Sequence, residues 1–175
     1  MPGPPAHLFA RFIDVATAPA LDPVEIEAVA KWLSPPLADL FFEQPVADQR
    51  HGYAAALVVR DAGTGDHDVI VAALVHDIGK RHSRLGVIGR SLASLMIKLH
   101  LPIPVRARMY RDHGALGARE LAYLAAPSLA IDFALHHHGA RPESITPETW
   151  SILKSADEPP KPSEMVRTRI MSRIR

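Results

Sequence analysis

The sequence predicts an all-α protein, a single-domain helical bundle, on three observations. Apolar residues make up 47% of the chain and aromatic residues only 6%, so alanines and aliphatic side chains must form the core, as is typical of packed helices. The 16 prolines fall between segments whose apolar residues recur at helical spacing. No segment has the sustained β-branched alternation that indicates a strand. The length of 175 residues fits one domain.

Four helices are predicted in the first half of the chain. Asp22 is the expected N-cap of the first helix, and Asp66 is the expected N-cap of the fourth. Gly79 is expected to end the fourth helix. The predicted bounds are Pro23 to Leu33, Pro35 to Phe42, Pro45 to the turn at Gly63-Thr64-Gly65, and His67 to Asp77.

Further helices are predicted in the second half, again separated by prolines. Residues 89–99 have apolar residues at helical spacing, and Pro102-Ile103-Pro104 ends that pattern. The other predicted helices are His113 to Ala126, Pro127 to His138, and Pro147 to Glu158.

Charge and composition exclude several classes of protein. The chain has 20 Lys+Arg and 19 Asp+Glu, so it is no general polyanion binder and a nucleic-acid partner is not expected. The absence of cysteine excludes disulfide scaffolds and thiolate metal sites. The first 20 residues lack a basic signal-peptide start, and charged residues and prolines interrupt the most apolar long segment, Val87 to Val105. We therefore expect a soluble cytoplasmic protein with no membrane partner.

Histidines and aspartates provide the candidate metal ligands. They come in the chain order His51, His76-Asp77, His113, the run His136-His137-His138, and Asp157. Imidazole and carboxylate groups suit divalent first-row transition metals, so Fe, Mn, Ni, Co and Zn are all candidates. The two oxygens of Asp77 could also bridge two metals, and such a pair of ions suits phosphoryl displacement.

The histidine triplet cannot supply all its rings to one centre from a helix, because three successive residues span about 200° of its circumference. His137 follows Ala130, Phe133 and Ala134 on the small, apolar face, which favours it as the ligand. His138 is the second choice. His136 lies four residues after Asp132, and an exposed pair of these two side chains accounts for it better.

The motifs resemble the HD-domain superfamily of metal-dependent phosphohydrolases. The strongest similarity is the run from Ala72 to Lys80, which contains His76-Asp77-Ile78-Gly79-Lys80. Together with His51 upstream and Ala156-Asp157 downstream, it carries the resemblance, which covers roughly residues 45–160. Three further segments resemble the family's six-ligand, two-metal branch: His113 to Ala118, His137 with Gly139 to Pro142, and Leu153 to Asp157.

The resemblance implies a role for each matching residue. One metal would be held by His51, His76, Asp77 and Asp157. Asp77 would bridge to a second metal held by His113 and His137. Lys80 would bind the substrate phosphate or assist the leaving oxygen, and Arg84 is the next expected phosphate contact.

The implied activity is hydrolysis of a nucleotide or small phosphate ester by a metal-bridged hydroxide. One alternative is a diiron oxygenase of the same family that oxidises a small anionic substrate, and another is a metal-stabilised binding module without turnover. The segment from Asp77 to His113 is longer than in compact nucleotide-hydrolysing relatives, so their substrate does not carry over. Residues 139–144 also lack the motif of the cyclic-dinucleotide branch.

The predicted organisation is one functional domain with two flanking segments. Residues 1–44 are expected to form helices that pack on the core, residues 45–160 the HD-type hydrolase domain, and residues 161–175 a basic tail. Residues 80–111 contain eight Lys or Arg and no acidic residue. We interpret this basic stretch as a flap that attracts phosphate, whereas the tail is expected to be solvated and dispensable for turnover.

Overall fold

The computed structural model describes residues 18–63 and 66–158, and in these ranges the predicted all-α fold is confirmed. The described residues contain nine α-helices and one 3₁₀ helix, and no strand. The α-helices, α1 to α9 in chain order, are Pro23–Trp32, Pro35–Phe42, Val46–Asp61, His67–Val75, Val87–Lys98, Val105–Arg111, His113–Tyr123, Ser128–His136 and Pro147–Asp157. The 3₁₀ helix, Ile78–Ser83, lies between α4 and α5.

Side-chain caps begin several helices where the sequence predicts them. The Asp22 carboxylate accepts a hydrogen bond from the Glu25 amide at 2.9 Å, and the Glu25 carboxylate accepts one from the Asp22 amide at 2.8 Å. This reciprocal pair is a capping box, and it starts α1. The Asp66 carboxylate accepts from the Asp68 amide at 2.9 Å and starts α4. The expected N-cap roles of Asp22 and Asp66 are therefore confirmed.

Helix α4 is the centre of the bundle. Helices α1, α3, α8 and α9 pack around it. Val69 and every residue from Val71 to Val75 are at most 2% exposed. A helix that is apolar on all sides must lie inside the protein. The two residues that follow it, His76 and Asp77, are consequently buried as well, at 0% and 3% exposure.

The end of α4 differs from the predicted one. The sequence predicted a helix as far as Asp77, but α4 ends at Val75 and the chain tightens into the 3₁₀ helix from Ile78. This 3₁₀ helix lies very close to α7. A Cβ atom built at Gly79 would lie only 2.0 Å from the backbone oxygen of His113, so only glycine fits there. This contact brings the start of α7 next to Asp77.

The basic stretch 80–111 folds as two helices after the 3₁₀ helix. Helix α5 begins two residues before the predicted start at residue 89, and the sequence analysis predicted no helix at α6. The two helices pack together, and α6 also packs on the 3₁₀ helix and on α7. Arg90 of α5 donates two hydrogen bonds, of 2.6 and 2.7 Å, to the buried Asp48 carboxylate on α3. We call α5, α6 and their connection the α5–α6 hairpin.

The flanking segments are described only in part. Leu33 and Leu37 join the same apolar core as the residues of α4, as do Val29 of α1 and Phe41 of α2. Residues 1–17 and the basic tail 161–175 lie outside the described residues, so the domain bounds stay predictions. Within the described ranges, no helix has the length and apolar character needed to cross a membrane.

Candidate metal centre

Five helices bring the candidate ligands to one buried place beside the end of α4. We call the group the His/Asp cluster. It consists of His51 on α3, His76 and Asp77 after α4, His113 at the start of α7, His137 and His138 after α8, and Asp157 at the end of α9. All six ligands implied by the family resemblance lie in the cluster, and His138 joins them.

One carboxylate oxygen of Asp77 faces three histidines. Asp77 Oδ1 lies 3.2 Å from His113 Nε2 and 3.4 Å from His137 Nε2. These two ring nitrogens are 3.3 Å apart, and His138 Nε2 lies 3.1 Å from His113 Nε2. Donor atoms of Asp77, His113, His137 and His138 thus lie within 4.8 Å of one another. We call these four residues the Oδ1 group.

The other oxygen of Asp77 faces a second group. Asp77 Oδ2 lies 3.5 Å from His76 Nε2 and 3.8 Å from His51 Nε2. The Asp157 carboxylate closes this side, with Oδ1 at 3.1 Å from His76 Nε2 and 3.4 Å from His51 Nε2. We call His51, His76, Asp77 and Asp157 the Oδ2 group. Asp77 is therefore common to two sets of possible ligands.

Backbone carbonyls orient three of the histidine rings. In each case Nδ1 lies within hydrogen-bond distance of the carbonyl three residues earlier: His76 to Ala73 at 2.8 Å, His113 to Tyr110 at 2.6 Å, and His137 to Ala134 at 2.8 Å. A carbonyl oxygen can only accept, so each Nδ1 donates its hydrogen. In the neutral ring, Nε2 then carries a lone pair directed at the cluster.

This arrangement fits a bound cation. The neutral rings turn lone pairs toward carboxylate oxygens, and such groups repel one another unless a positive charge lies between them. Asp77 Oδ1 is buried and, within the described part of the chain, accepts no hydrogen bond. Imidazole nitrogen and carboxylate oxygen are ligands that transition metals prefer, and backbone bonds to ligand histidines are typical of metal sites. The buried His/Asp groups could therefore hold metal ions.

The charges of the cluster are strongly coupled. Burial alone would raise the pKa of Asp77, but the Lys80 ammonium and the neighbouring imidazoles hold it well below its usual range. Burial likewise opposes ionisation of Asp157, yet the adjacent His51 and His76 imidazoles lower its pKa. Burial, together with His137 and His113, lowers the pKa of His138 to about 3. The two carboxylates are thus available as anionic ligands.

Two lysines contact the cluster. Lys80 Nζ forms an ion pair with Asp77 Oδ2, and its side chain is 14% exposed. Lys154 donates a hydrogen bond of 2.7 Å to the His137 carbonyl and lies 3.3 Å from Asp157 Oδ2. The sequence analysis missed Lys154, although its position three residues before Asp157 was a usable signal. Lys154 links the ends of α8 and α9 and so positions a ligand from each group.

Arg84 is not brought to the cluster. It is exposed, has a left-handed backbone with φ of 48°, and follows the 3₁₀ helix on the outer surface. There it lines an open cleft of about 1020 Å³ together with Glu43 and Arg106. The neighbouring Arg81 forms two 2.6 Å hydrogen bonds with Glu120 of α7, so its role is to hold the 3₁₀ helix in place.

The fold and the cluster together define an all-α protein with a buried set of histidines and aspartates that could hold metal. Comparison with protein-family models, with curated proteins and with solved structures found no match. The resemblance to the HD-domain superfamily therefore rests on the motifs themselves.

Proposed function

We propose that the protein is an HD-type metal-dependent phosphohydrolase that cleaves a nucleotide or a small phosphate ester at two divalent ions. The observation that carries this proposal is the position of Asp77, each of whose oxygens faces a separate group of possible ligands. A carboxylate in that position can bridge two ions. Its place in the motif His76-Asp77-Ile78-Gly79-Lys80 supports the same interpretation.

Two divalent cations held by the cluster would polarise a water molecule and the phosphoryl oxygens. The chain itself contributes a buried positive charge beside them. Burial alone would lower the pKa of Lys80, but the Asp77 carboxylate raises it above its ordinary value, so Lys80 stays charged at neutral pH. An ammonium group in a water-poor site can bind a phosphate oxygen and stabilise negative charge that develops during displacement.

A screen of metals against substrates tests the proposal. The purified chain is stripped of metal, loaded in turn with Mn, Fe, Co, Ni or Zn, and offered a panel of nucleotides and phosphate esters. We expect about two equivalents of bound metal and metal-dependent release of phosphate. Bound iron with an optical band and oxygen consumption, without phosphate release, would indicate the oxygenase instead. A ligand-binding function that survives metal removal would indicate a binding module.

Substitutions in the histidine triplet test the assignment of the second ion. We expect His137→Ala to lose about half of the bound metal and His138→Ala to weaken retention of the same ion, because both rings lie in the Oδ1 group. His136→Ala is the matched control, because its ring lies outside both groups, and it should keep the full amount. Metal content by mass spectrometry is the measurement. Equal metal loss in all three variants would contradict the assignment.

A further inference from the structure

The α5–α6 hairpin turns large apolar side chains to the outside. Ile88, Leu92, Leu95 and Leu99 follow one another at spacings of four, three and four, which places them within about 60° of each other around the helix. They are 73%, 56%, 52% and 56% exposed. On α6, Val105 and Met109 are also exposed and lie one helical turn apart. The apolar face of the hairpin comprises Ile88, Leu92, Leu95, Leu99, Val105 and Met109.

The inner side of α5 is not its only apolar side. Ala93 is the buried residue of this helix, and Arg90 reaches inward to Asp48. A helix that only covers a core has its large apolar side chains inward and its polar ones outward. Helix α5 has half-buried Met96 and Ile97 on its inner side, but it also keeps four large apolar side chains on its exposed side. More than half of the large exposed apolar side chains in the described residues lie between Ile88 and Met109, and such a concentration marks an interaction surface.

The charged side chains of the α5–α6 hairpin itself are all positive, and the one acid in the adjoining cleft, Glu43, lies 3.3 Å from Arg81. Residues 80–111 contain no Asp or Glu, and the basic side chains Lys80, Arg81 and Arg90 are paired with acids of other segments. Four exposed cations lie in the hairpin or just before α5, and they form no ion pair with any described residue. They are Arg84, Lys98, Arg106 and Arg108.

The basic and apolar features are continuous. Arg84 and Arg106 line the open cleft of about 1020 Å³ together with Val105 and Met109 of the apolar face. A partner that covers this surface therefore needs an apolar part and an anionic part side by side. An anionic phospholipid bilayer has both, in its acyl chains and its headgroup phosphates.

We propose that the α5–α6 hairpin docks the protein on the surface of an anionic lipid bilayer. The apolar face enters the boundary between headgroups and acyl chains, and the exposed cations contact lipid phosphates. A second copy of the chain fits less well, because joining two such faces would bring like charges together. The docking is peripheral and does not depend on the proposed hydrolysis. It departs from the expectation of no membrane partner, which rested on the lack of a signal-peptide start and of a spanning segment.

Vesicle sedimentation with the full-length chain tests this proposal. The vesicles contain phosphatidylcholine alone or an equal mixture with phosphatidylglycerol. We expect the partition coefficient to be at least about tenfold higher for the anionic vesicles, and to fall when salt is raised from about 0.1 to 0.5 M. The double variant Leu92→Glu/Leu95→Glu should lose binding. The control Val24→Glu/Ile26→Glu adds the same charge at exposed aliphatic positions of α1 and should bind like the parent.

Several results would overturn the proposal. They are absence of binding to anionic vesicles, equal binding to both vesicle types, and binding that survives Leu92→Glu/Leu95→Glu. A dimer in analytical ultracentrifugation that the same variant dissociates, without vesicle binding by the parent, would assign the face to a second copy. If that variant does not fold by circular dichroism, Lys98→Glu/Arg106→Glu replaces it, because both side chains are exposed, and it should also lose binding.

Discussion

Asp77→Ala should remove metal from both groups of ligands and lower the rate of phosphate release by at least about a hundredfold. The reason is that each oxygen of Asp77 faces a different set of histidines, so one substitution removes a ligand from two ions at once. The other ligands of the cluster belong to one group each, and their loss should leave the other ion in place. Metal content and turnover are measured on the same preparation.

Two further variants separate a ligand effect from a folding effect. Asp77→Ala leaves the mostly buried Lys80 without its carboxylate partner, which could destabilise the chain. Asp77→Asn keeps the size of the side chain but removes its charge, and it should also lose metal and activity. His67→Ala removes an imidazole on the exposed surface of α4 and should change neither. Full metal content in a folded Asp77→Ala protein would refute the bridging role.

Lys80→Ala should lower kcat about a hundredfold while the metal content is retained. Lys80 is no metal ligand, since an ammonium group has no lone pair to donate. Its charge lies directly beside Asp77 and is the cation that contacts the shared carboxylate. An interaction made mainly in the transition state lowers kcat and kcat/KM together when it is removed. Steady-state kinetics on metal-loaded protein, with the metal content determined in parallel, checks both parts.

Arg84→Ala is the matched control for Lys80→Ala. The sequence suggested that Arg84 binds substrate, and from that alone its removal should raise KM. The structure places Arg84 in the outer cleft, exposed and outside both ligand groups, so we now expect kcat and KM for a soluble substrate to stay unchanged. A large rise of KM in Arg84→Ala, together with a fully active Lys80→Ala, would show that the substrate anion is held in the cleft.

Local sequence signals predicted most of the helices because caps and prolines act over a few residues. Asp22 and Asp66 cap the helices that they were expected to cap. The errors lie where another part of the chain decides the backbone. Gly79 lies against α7, in a 3₁₀ helix that the sequence did not predict, and α4 ends two residues before the predicted Asp77. No local pattern could show that contact, because His113 is more than 30 residues away in the sequence.

At the candidate site, the histidine triplet also shows where prediction from short-range spacing fails. The helical phase favoured His137, which is the C-cap of α8 and keeps helical backbone angles, so its ring is directed inward. The phase argument assumed that the helix continued through His138. Because α8 ends at His136, the turn that follows brings His138 Nε2 to within 3.1 Å of His113 Nε2. Both rings therefore face one group of ligands, although the helical phase ranked His138 only second.

The sequence by itself determined the helical class, the positions of most helix starts, and the histidines and aspartates of the cluster, because these depend on residue type and short-range spacing. Tertiary structure alone decided which of the basic residues other than Lys80 in the stretch 80–111 hold helices together and which stay exposed. Arg81 and Arg90 hold helices together through Glu120 and Asp48, whereas Lys80 contacts Asp77. The partners of Arg81 and Arg90 lie 39 and 42 residues away in the sequence, so only the packing of helices sets those distances, whereas Asp77 lies only three residues before Lys80.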